Sequence, residues 1–174
     1  MPISQSSLVG VSGEYYIMYR LLQMGFIAAL APTGVPNSDL IVKDVEGKHV
    51  AAIQVKTRTK KGSDGGWAMK EKHQTLSSPN LFYCFVELED DAMKSPSVFI
   101  LPSEIVANAI STSHRVWLTT PGKNGRAHKD TNMRRLLPDY SKTLKLNEDL
   151  IKIYGPNWLE RYREAWHVLN ISHT

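Results

Sequence analysis

Residues 39–58 constrain the fold more than any other stretch, because they contain two runs of β-branched and apolar residues around a short polar reversal. Such runs predict two strands, and Gly47 suits the turn between them since glycine accepts a positive φ. Side chains alternate between the faces of a strand, so Gln54 and Lys56 share one face of the second strand. Asp39 begins the first strand. Pairing the strands would therefore bring a carboxylate, an amide and an ammonium together, a set that suits a divalent metal ion and a phosphate.

The order of these residues resembles a known nuclease signature. Asp39 followed, after a hairpin, by Gln54-Val55-Lys56 is similar to the motif of the PD-(D/E)XK nuclease superfamily, in which an Asp precedes an acidic residue, any residue and a Lys. Two positions differ from that motif. Gln54 stands where an Asp or Glu is usual, and Ser38 rather than Pro precedes the Asp. The amide removes one negative charge from the metal site that the resemblance implies.

The segment before the hairpin extends the resemblance. Gly13-Glu14 in a stretch of helical periodicity, with Gly25-Phe26 at its end, resembles the first helix of the Holliday-junction-resolvase-like branch of the superfamily. The likeness covers roughly residues 10–90. It implies an α/β fold with a restriction-endonuclease-like αβββαβ core, a mixed central sheet flanked by helices, over about residues 8–118. A C-terminal α extension would follow over about residues 119–174, within a single domain of residues 1–174.

The resemblance also implies an activity, the metal-dependent hydrolysis of nucleic-acid phosphodiesters, most simply those of DNA, with Mg²⁺ or Mn²⁺ as cofactor. Asp39 would be the principal metal ligand, Gln54 would add a neutral side-chain oxygen, and Val55 would add its backbone carbonyl. Glu14 would supply a second carboxylate; the alternative is a glutamate in the first turn of a helix, stabilised there by the helix dipole. Lys56 would orient the attacking water or stabilise charge in the transition state.

Cationic residues occur in two segments around this motif. One follows the second strand directly, and the other lies in the polar, glycine-containing segment of residues 119–137. A solvated charged face is the alternative for the first segment, and a flexible insertion is the alternative for the second. The predicted nucleic-acid contacts are Arg58, Lys60, Lys61, Lys123, Arg126 and Lys129.

Bulk properties exclude several classes of protein. The 174 residues are 42% hydrophobic and 22% charged, as in an ordinary globular chain. A single cysteine, Cys84, permits no internal disulfide, and together with the lack of a signal peptide this predicts a cytoplasmic location. No apolar run approaches the roughly 20 residues that span a membrane. The net charge of +4 and the pI of about 9.1 are compatible with a nucleic-acid partner. The sequence leaves the oligomeric state open, although cutting both strands of a duplex commonly calls for two active sites, which a homodimer would supply.

Periodicity predicts the remaining elements. The run Leu81–Leu88 is apolar on both faces, so we expect it inside the sheet. The other expected strands cover residues 26–30, 97–101 and 115–118. The expected helices cover residues 8–24, starting near Ser12, and residues 67–77, 102–110, 147–154 and 156–169.

Two further hypotheses compete with the nuclease. The chain could be an inactive nuclease-fold module that binds nucleic acid or a protein partner, which Gln54 favours. It could also be a structural protein in which Asp39 and Lys56 form a surface ion pair of little energetic consequence. Convergence of Glu14, Asp39, Gln54 and Lys56 in a concave site would argue against the second of these hypotheses.

Overall fold

The computed structural model describes residues 4–60, 65–144 and 147–169. Seven strands and four α-helices occur in this part of the chain, joined by short 3₁₀ turns at Glu71–Gln74, Lys123–Gly125, Glu160–Tyr162 and Trp166–Leu169. In chain order the elements are α1 (Gln5–Gln23), β1 (Ile27–Leu30), β2 (Leu40–Lys43), β3 (Val50–Thr59), β4 (Trp67–Lys70), β5 (Leu81–Leu88), β6 (Ser97–Pro102), α2 (Ser103–Thr119), β7 (Met133–Leu136), α3 (Ser141–Leu144) and α4 (Glu148–Tyr154).

A five-stranded mixed sheet organises the chain. Its strand order is β1-β2-β3-β5-β6, with a parallel pairing between β3 and β5 and antiparallel pairings elsewhere. The β2–β3 hairpin is the one predicted from residues 39–58. Strand β5 lies inside the sheet, and its residues from Leu81 to Glu87 are buried. The mixed sheet flanked by helices confirms the predicted fold class.

Helix α1 covers one face of this sheet and approaches β3 closely. A Cβ at Gly13 would overlap the Thr57 side chain, so only glycine permits this approach. The helix begins at the cap residue Ser4, whose hydroxyl accepts a hydrogen bond from the Ser7 amide at 3.1 Å. The predicted start near Ser12 was therefore two turns too late. Gly25 follows the helix with φ of +86°, as expected for a C-terminal cap.

The helix predicted for residues 67–77 is wrong. Residues Trp67–Lys70 form strand β4, which pairs with β7 in a separate two-stranded sheet, and a 3₁₀ turn follows. Trp67 and Met69 are buried while Ala68 and Lys70 are exposed, the alternation of a half-buried strand. The Trp67 indole anchors the strand by donating to the Val86 carbonyl at 3.0 Å.

A second correction concerns residues 103–119. Helix α2 continues through all of them, so the strand predicted at residues 115–118 does not form and the predicted helix 102–110 was too short. Val106, Ile110 and Ser113 are buried at helical spacing, and α2 contacts β7 as well as the central sheet. Packing along the whole helix therefore outweighs the β propensity of its last turns.

The C-terminal part also differs from its prediction in one stretch. Residues 147–154 are helical as expected, but residues 156–169 contain two 3₁₀ turns rather than one helix. The chain adopts a positive φ at Asn157 and Glu164, which a continuous helix does not allow. The Glu164 amide donates to the Val98 carbonyl at 3.0 Å, so this stretch covers the edge strand β6.

Two hydrophobic layers lie on opposite faces of the central sheet. The layer under α1 includes Ile17, Ile53 and Val55. The opposite layer lies between the sheet, β4, β7 and α2, and it includes Trp67 and Phe85. The buried Cys84 belongs to the first layer, as expected for a small hydrophobic residue. Among the described residues, no helix is both long and apolar enough to cross a membrane.

Candidate active site

Asp39 lies immediately before β2 and is held at both its backbone and its side chain. Its amide donates to the Ile53 carbonyl, and its carbonyl accepts from the Ala31 amide, both at 2.8 Å. Its Oδ2 accepts from the Val55 amide at 2.7 Å and from Gln54 Nε2 at 2.8 Å. No hydrogen bond reaches its Oδ1 from the described part of the chain. The carboxylate is therefore fixed through one oxygen and available through the other.

Gln54 is buried, with 8% of its surface exposed. A carboxylate only accepts hydrogen bonds, so the amide has to present its NH₂ group to Asp39. The orientation of the side chain is therefore set by the hydrogen bond, and the amide oxygen Oε1 points away from Asp39 Oδ2. The residue acts on the carboxylate as a neutral hydrogen-bond donor and still has one oxygen for a further partner.

Glu14 lies within electrostatic reach of the same carboxylate. Partial burial raises its pKa, the charge of Asp39 raises it further, and the charge of Lys56 opposes the shift. The alternative interpretation of Glu14 as a first-turn residue is wrong, because α1 begins at Gln5 and has no acidic residue in its first turn. Gly13 brings this part of the helix close to β3, which gives the glycine of the Gly-Glu pair a structural reason.

Lys56 is surrounded by charges of both signs. Burial lowers the pKa of its ammonium; the charge of Asp39 raises it, Lys72 and Lys70 lower it, and Glu14 raises it. No ion pair joins Lys56 to Asp39 among the described residues, so the simple surface ion pair of the structural hypothesis is absent from them. The four residues predicted for the site are thus brought together from α1, the start of β2 and β3.

An open cleft of about 740 Å³ lies above three of these four residues, and Glu14 does not line it. Asp39, Gln54 and Lys56 line one side, which we call the floor. Lys70, Lys72 and His73, from β4 and the following 3₁₀ turn, line the other side, which we call the wall. Lys72 Nζ donates to Asn37 Oδ1 at 2.8 Å and so links the wall to the loop before β2.

His73 is the most buried member of the wall, with 3% of its surface exposed. Its Nδ1 lies 2.7 Å from the Tyr83 hydroxyl. Burial lowers the pKa of its imidazole to about 4, and the charges of Lys56, Lys72 and Lys70 contribute in the same direction. Burial and the charge of Asp39 raise the pKa of Tyr83. At neutral pH the cleft therefore contains a neutral imidazole among three ammonium groups.

Of the residues predicted to contact nucleic acid, Arg58, Lys60, Arg126 and Lys129 do not line this cleft. Arg58 forms an ion pair with Glu87, and its guanidinium lies 4.3 Å from the centre of the Trp67 ring, so much of its charge is already compensated. Lys60 is more exposed and lies 3.5 Å from Glu89. Arg126 and Lys129 are exposed on the segment between α2 and β7. Lys61 and the side chain of Lys123 lie outside the described residues.

The wall was not predicted from the sequence. Residues 67–77 were interpreted as a helix, which spreads Lys70, Lys72 and His73 around a solvated surface. The alternation of Trp67 and Met69 with Ala68 and Lys70 was the available signal for a strand. Nothing local indicated the partner strand β7, which is more than 60 residues away in the chain.

The donor set of the floor is suitable for a hard cation. Carboxylate, amide and carbonyl oxygens are the ligands that Mg²⁺ prefers in proteins. Among the described residues, no group of three or more His, Cys, Asp or Glu side chains is arranged to hold a metal ion. The only carboxylates that the site offers within those residues are therefore Glu14 and Asp39, and the oxygens of Gln54 and Val55 would have to complete the set.

Comparison with known proteins gives structural likenesses only. No family model matches the sequence, and no curated protein matches it. A bacterial homing endonuclease, I-Ssp6803I, has a similar structure with 17% identity and a TM-score of 0.48, covering 96% of this chain and 92% of its own. Hjc, a Holliday junction resolvase from Archaeoglobus fulgidus, has 12% identity and a TM-score of 0.42, covering 84% of this chain and 96% of its own.

Both TM-scores are below 0.5 and both identities are below 25%. The function of this chain has to be inferred from its own residues.

Proposed function

We propose that this protein is a metal-dependent phosphodiesterase that cleaves nucleic acid, most simply DNA. The observation that carries the proposal is that Asp39 and the half-buried Lys56 line one cleft, and that the carboxylate of Glu14 lies close enough to interact electrostatically with both. Three separate elements contribute these side chains, and Asp39 is fixed by two hydrogen bonds. The carboxylates of Glu14 and Asp39 repel each other. Repulsion of this kind between like charges is typical of functional sites, where a bound ligand of opposite charge reduces it.

A divalent cation would reduce this repulsion. The charge of Asp39 raises the pKa of Glu14, and a cation between them would reverse this effect. Mg²⁺ bound with phosphate commonly uses one or two carboxylates, which is the number that the described residues offer. Asp39 and Glu14 would hold the ion, with Gln54 Oε1 and the Val55 carbonyl as further oxygen ligands. When bound, Mg²⁺ or Mn²⁺ supplies Lewis-acid polarisation of the phosphate and a more acidic water.

The other residues of the cleft have separate tasks in this proposal. Gln54 orients the Asp39 carboxylate through its NH₂ group. Lys56 stabilises the negative charge that develops on the phosphate, and its lowered pKa reflects how little water surrounds it. Lys70 and Lys72 hold neighbouring phosphates from the wall. The earlier candidates Arg58, Lys60, Arg126 and Lys129 would contact a longer substrate outside the cleft, and contacts by Lys61 and Lys123 stay predictions from the sequence.

A second candidate function is the binding of nucleic acid without cleavage. The observation that favours it is again Gln54, whose NH₂ group already satisfies one oxygen of Asp39. An amide in this role stabilises the site without a cation, since its NH₂ group donates a charge-assisted hydrogen bond to the carboxylate. The cationic wall would bind nucleic acid equally well in an inactive protein.

Cleavage of plasmid, linear and branched DNA, with and without Mg²⁺ or Mn²⁺, tests the proposal. We expect metal-dependent products with the wild type and with the Asp149→Ala control, which removes an exposed carboxylate remote from the cleft. Asp39→Ala should give none. Metal binding is measured separately by calorimetry without DNA. Binding of DNA without cleavage, and without uptake of metal, would support the second candidate instead.

A homodimer, the cytoplasmic location and the single-domain organisation stay predictions. Sedimentation of the purified protein with and without a DNA duplex measures the first of them. Two active sites on one duplex are expected only if a dimer forms.

A further inference from the structure

His73 lies on the wall of the cleft and contacts the buried Tyr83, and the proposed reaction assigns this pair no role. His73 follows β4, and Tyr83 lies on β5 opposite Gln54 in the parallel pairing. The two rings meet edge to face with centroids 5.7 Å apart, and Tyr83 stacks on Phe85 on its other side. Both side chains are almost fully buried, so their relative orientation is fixed.

Proton counting determines the tautomer of His73. The Tyr83 hydroxyl carries one proton, and in the described part of the chain its only hydrogen-bond partner is His73 Nδ1 at 2.7 Å. A buried hydroxyl proton needs an acceptor. The hydroxyl therefore donates to Nδ1, which must present its lone pair. A neutral imidazole then carries its proton on Nε2.

Nε2 faces the open space of the cleft. His73 lines the cleft, and no hydrogen bond joins its Nε2 to any described residue. Among the described side chains, the polar atoms that are fully buried without a hydrogen-bond partner are Thr57 Oγ1, Arg58 Nε and Arg134 Nε. His73 Nε2 is not one of them, so this unpartnered atom keeps some exposed surface. Since His73 lines the cleft, we infer that this exposed surface of Nε2 faces the space between wall and floor.

We propose that His73 donates a hydrogen bond from Nε2 to a phosphate oxygen of the bound nucleic acid, and that Tyr83 is the positioning residue that fixes this tautomer. The inference rests on the proposed nuclease function. It makes His73 a neutral donor beside Lys56, Lys70 and Lys72, which would repel a fourth positive charge. It also means that His73 is neither a metal ligand nor a general base, because both roles need a lone pair on Nε2.

The tautomer is measured by long-range ¹H–¹⁵N correlation spectra of protein labelled at its six histidines. The His73→Gln variant identifies the signal of His73. We expect the Nε2–H form in the wild type at pH 6 to 8. In Tyr83→Phe, which keeps the ring and its stacking, we expect that signal to shift toward the Nδ1–H form. A wild-type spectrum with the proton on Nδ1 would overturn the proposal, whatever the activity.

Binding and cleavage test the contact itself. His73→Ala should weaken binding of a short DNA duplex and lower kcat/KM by about 10- to 100-fold, as when a hydrogen bond to a charged group is lost. His73→Gln, which keeps a neutral donor, should recover most of the lost affinity and kcat/KM. The values for Tyr83→Phe should lie between those of His73→Ala and His73→Gln. His167→Ala is the matched control, since His167 is exposed on the C-terminal stretch.

The outcomes separate this inference from the proposed function. Absence of cleavage in the wild type overturns the nuclease proposal, while the spectra and the binding of duplex still decide the role of His73. Equal binding by wild type and a folded His73→Ala variant overturns the inference. If His73→Ala does not fold, failure of the folded Tyr83→Phe variant to change either the tautomer or the affinity overturns it.

Discussion

The floor and the wall of the cleft carry charge in different ways. On the floor each charged group has a counterpart: Asp39 accepts two hydrogen bonds, and the ammonium of Lys56 lies near two carboxylates. On the wall no described carboxylate forms an ion pair with Lys70 or Lys72, and His73 is neutral. In the proposed function, the balanced side acts on one phosphate, and the unbalanced side attracts the negative backbone of the nucleic acid.

Removing the charge of Asp39 should give the largest difference between cleavage, which we assign to the floor, and DNA binding, which we assign to the wall. Asp39→Asn keeps a side-chain oxygen that can accept from the Val55 amide, so the hairpin is preserved. We expect cleavage to be abolished while binding of duplex DNA is unchanged or tighter, since a negative charge facing phosphate is deleted. Plasmid nicking and fluorescence anisotropy measure the two effects. Equal loss of binding and cleavage would show that the floor also carries the affinity.

Lys56→Ala should affect the rate more than the metal affinity, because an ammonium is not a metal ligand. Loss of one contact of this kind to transition-state charge typically costs about 10²–10³ in rate. Single-turnover cleavage at saturating Mg²⁺ measures it, with Lys152→Ala as a control for an exposed lysine. A rate that recovers on adding more Mg²⁺ would instead make Lys56 part of the metal-binding arrangement.

The role of the wall in binding is tested by the salt dependence of the DNA affinity. Each phosphate contact contributes about 0.9 to the slope of log affinity against log salt concentration, so Lys70→Ala with Lys72→Ala should lower the slope by about two. The cleavage rate at saturating DNA should change little. A slope altered by Lys60→Ala but not by the double variant would place the binding surface at the end of β3, as the sequence analysis predicted.

Gln54→Glu replaces the hydrogen bond to Asp39 by two facing carboxylates. Without metal the variant should be less stable by about 1–3 kcal/mol, the usual cost of losing a buried hydrogen bond and its donor. Mg²⁺ should raise its Tm more than that of the wild type. Improved activity would indicate that Glu14 is not a ligand, and reduced activity that three carboxylates hold the ion too tightly. No response of Tm to Mg²⁺ in either protein would contradict the metal site.

His73 should give the smallest effect, a pH-dependent stability. Its pKa is lowered from 6.5 to about 4 in the folded protein, so below pH 6.5 the unfolded chain takes up a proton that the folded chain does not. The free energy of unfolding should therefore fall between pH 6.5 and 4. His73→Gln removes this contribution, so we expect its stability relative to wild type to rise as the pH falls. A difference in urea denaturation that is constant with pH would contradict this interpretation.

The local sequence pattern was sufficient to predict the floor of the cleft. The alternation of residues 39–58 determines which side chains share a face, and the predicted hairpin and the inner strand β5 are both present. The grouping of Gln54 with Lys56 follows from the strand period alone. Asp39 and Gln54 therefore meet because they are hairpin neighbours, which a sequence can show.

The structures of the wall and of residues 156–169 depend on contacts between segments that are distant in the sequence. Strand β4 pairs with β7, and residues 156–169 form short turns instead of one helix and cover the edge strand β6. The sequence around β4 does not indicate β7, and the sequence of residues 156–169 does not indicate β6.

The sequence by itself determined the hairpin and the helix that bears Glu14, because their apolar residues repeat with the period of a strand or a helix. It also determined the central strand, because an apolar run on both faces is typical of a strand inside a sheet. Only the tertiary structure decided that Lys70, Lys72 and His73 face this hairpin. Their placement depends on burying Trp67 and Met69 against β5 and β7, and the free energy of that burial is gained only when the segments meet.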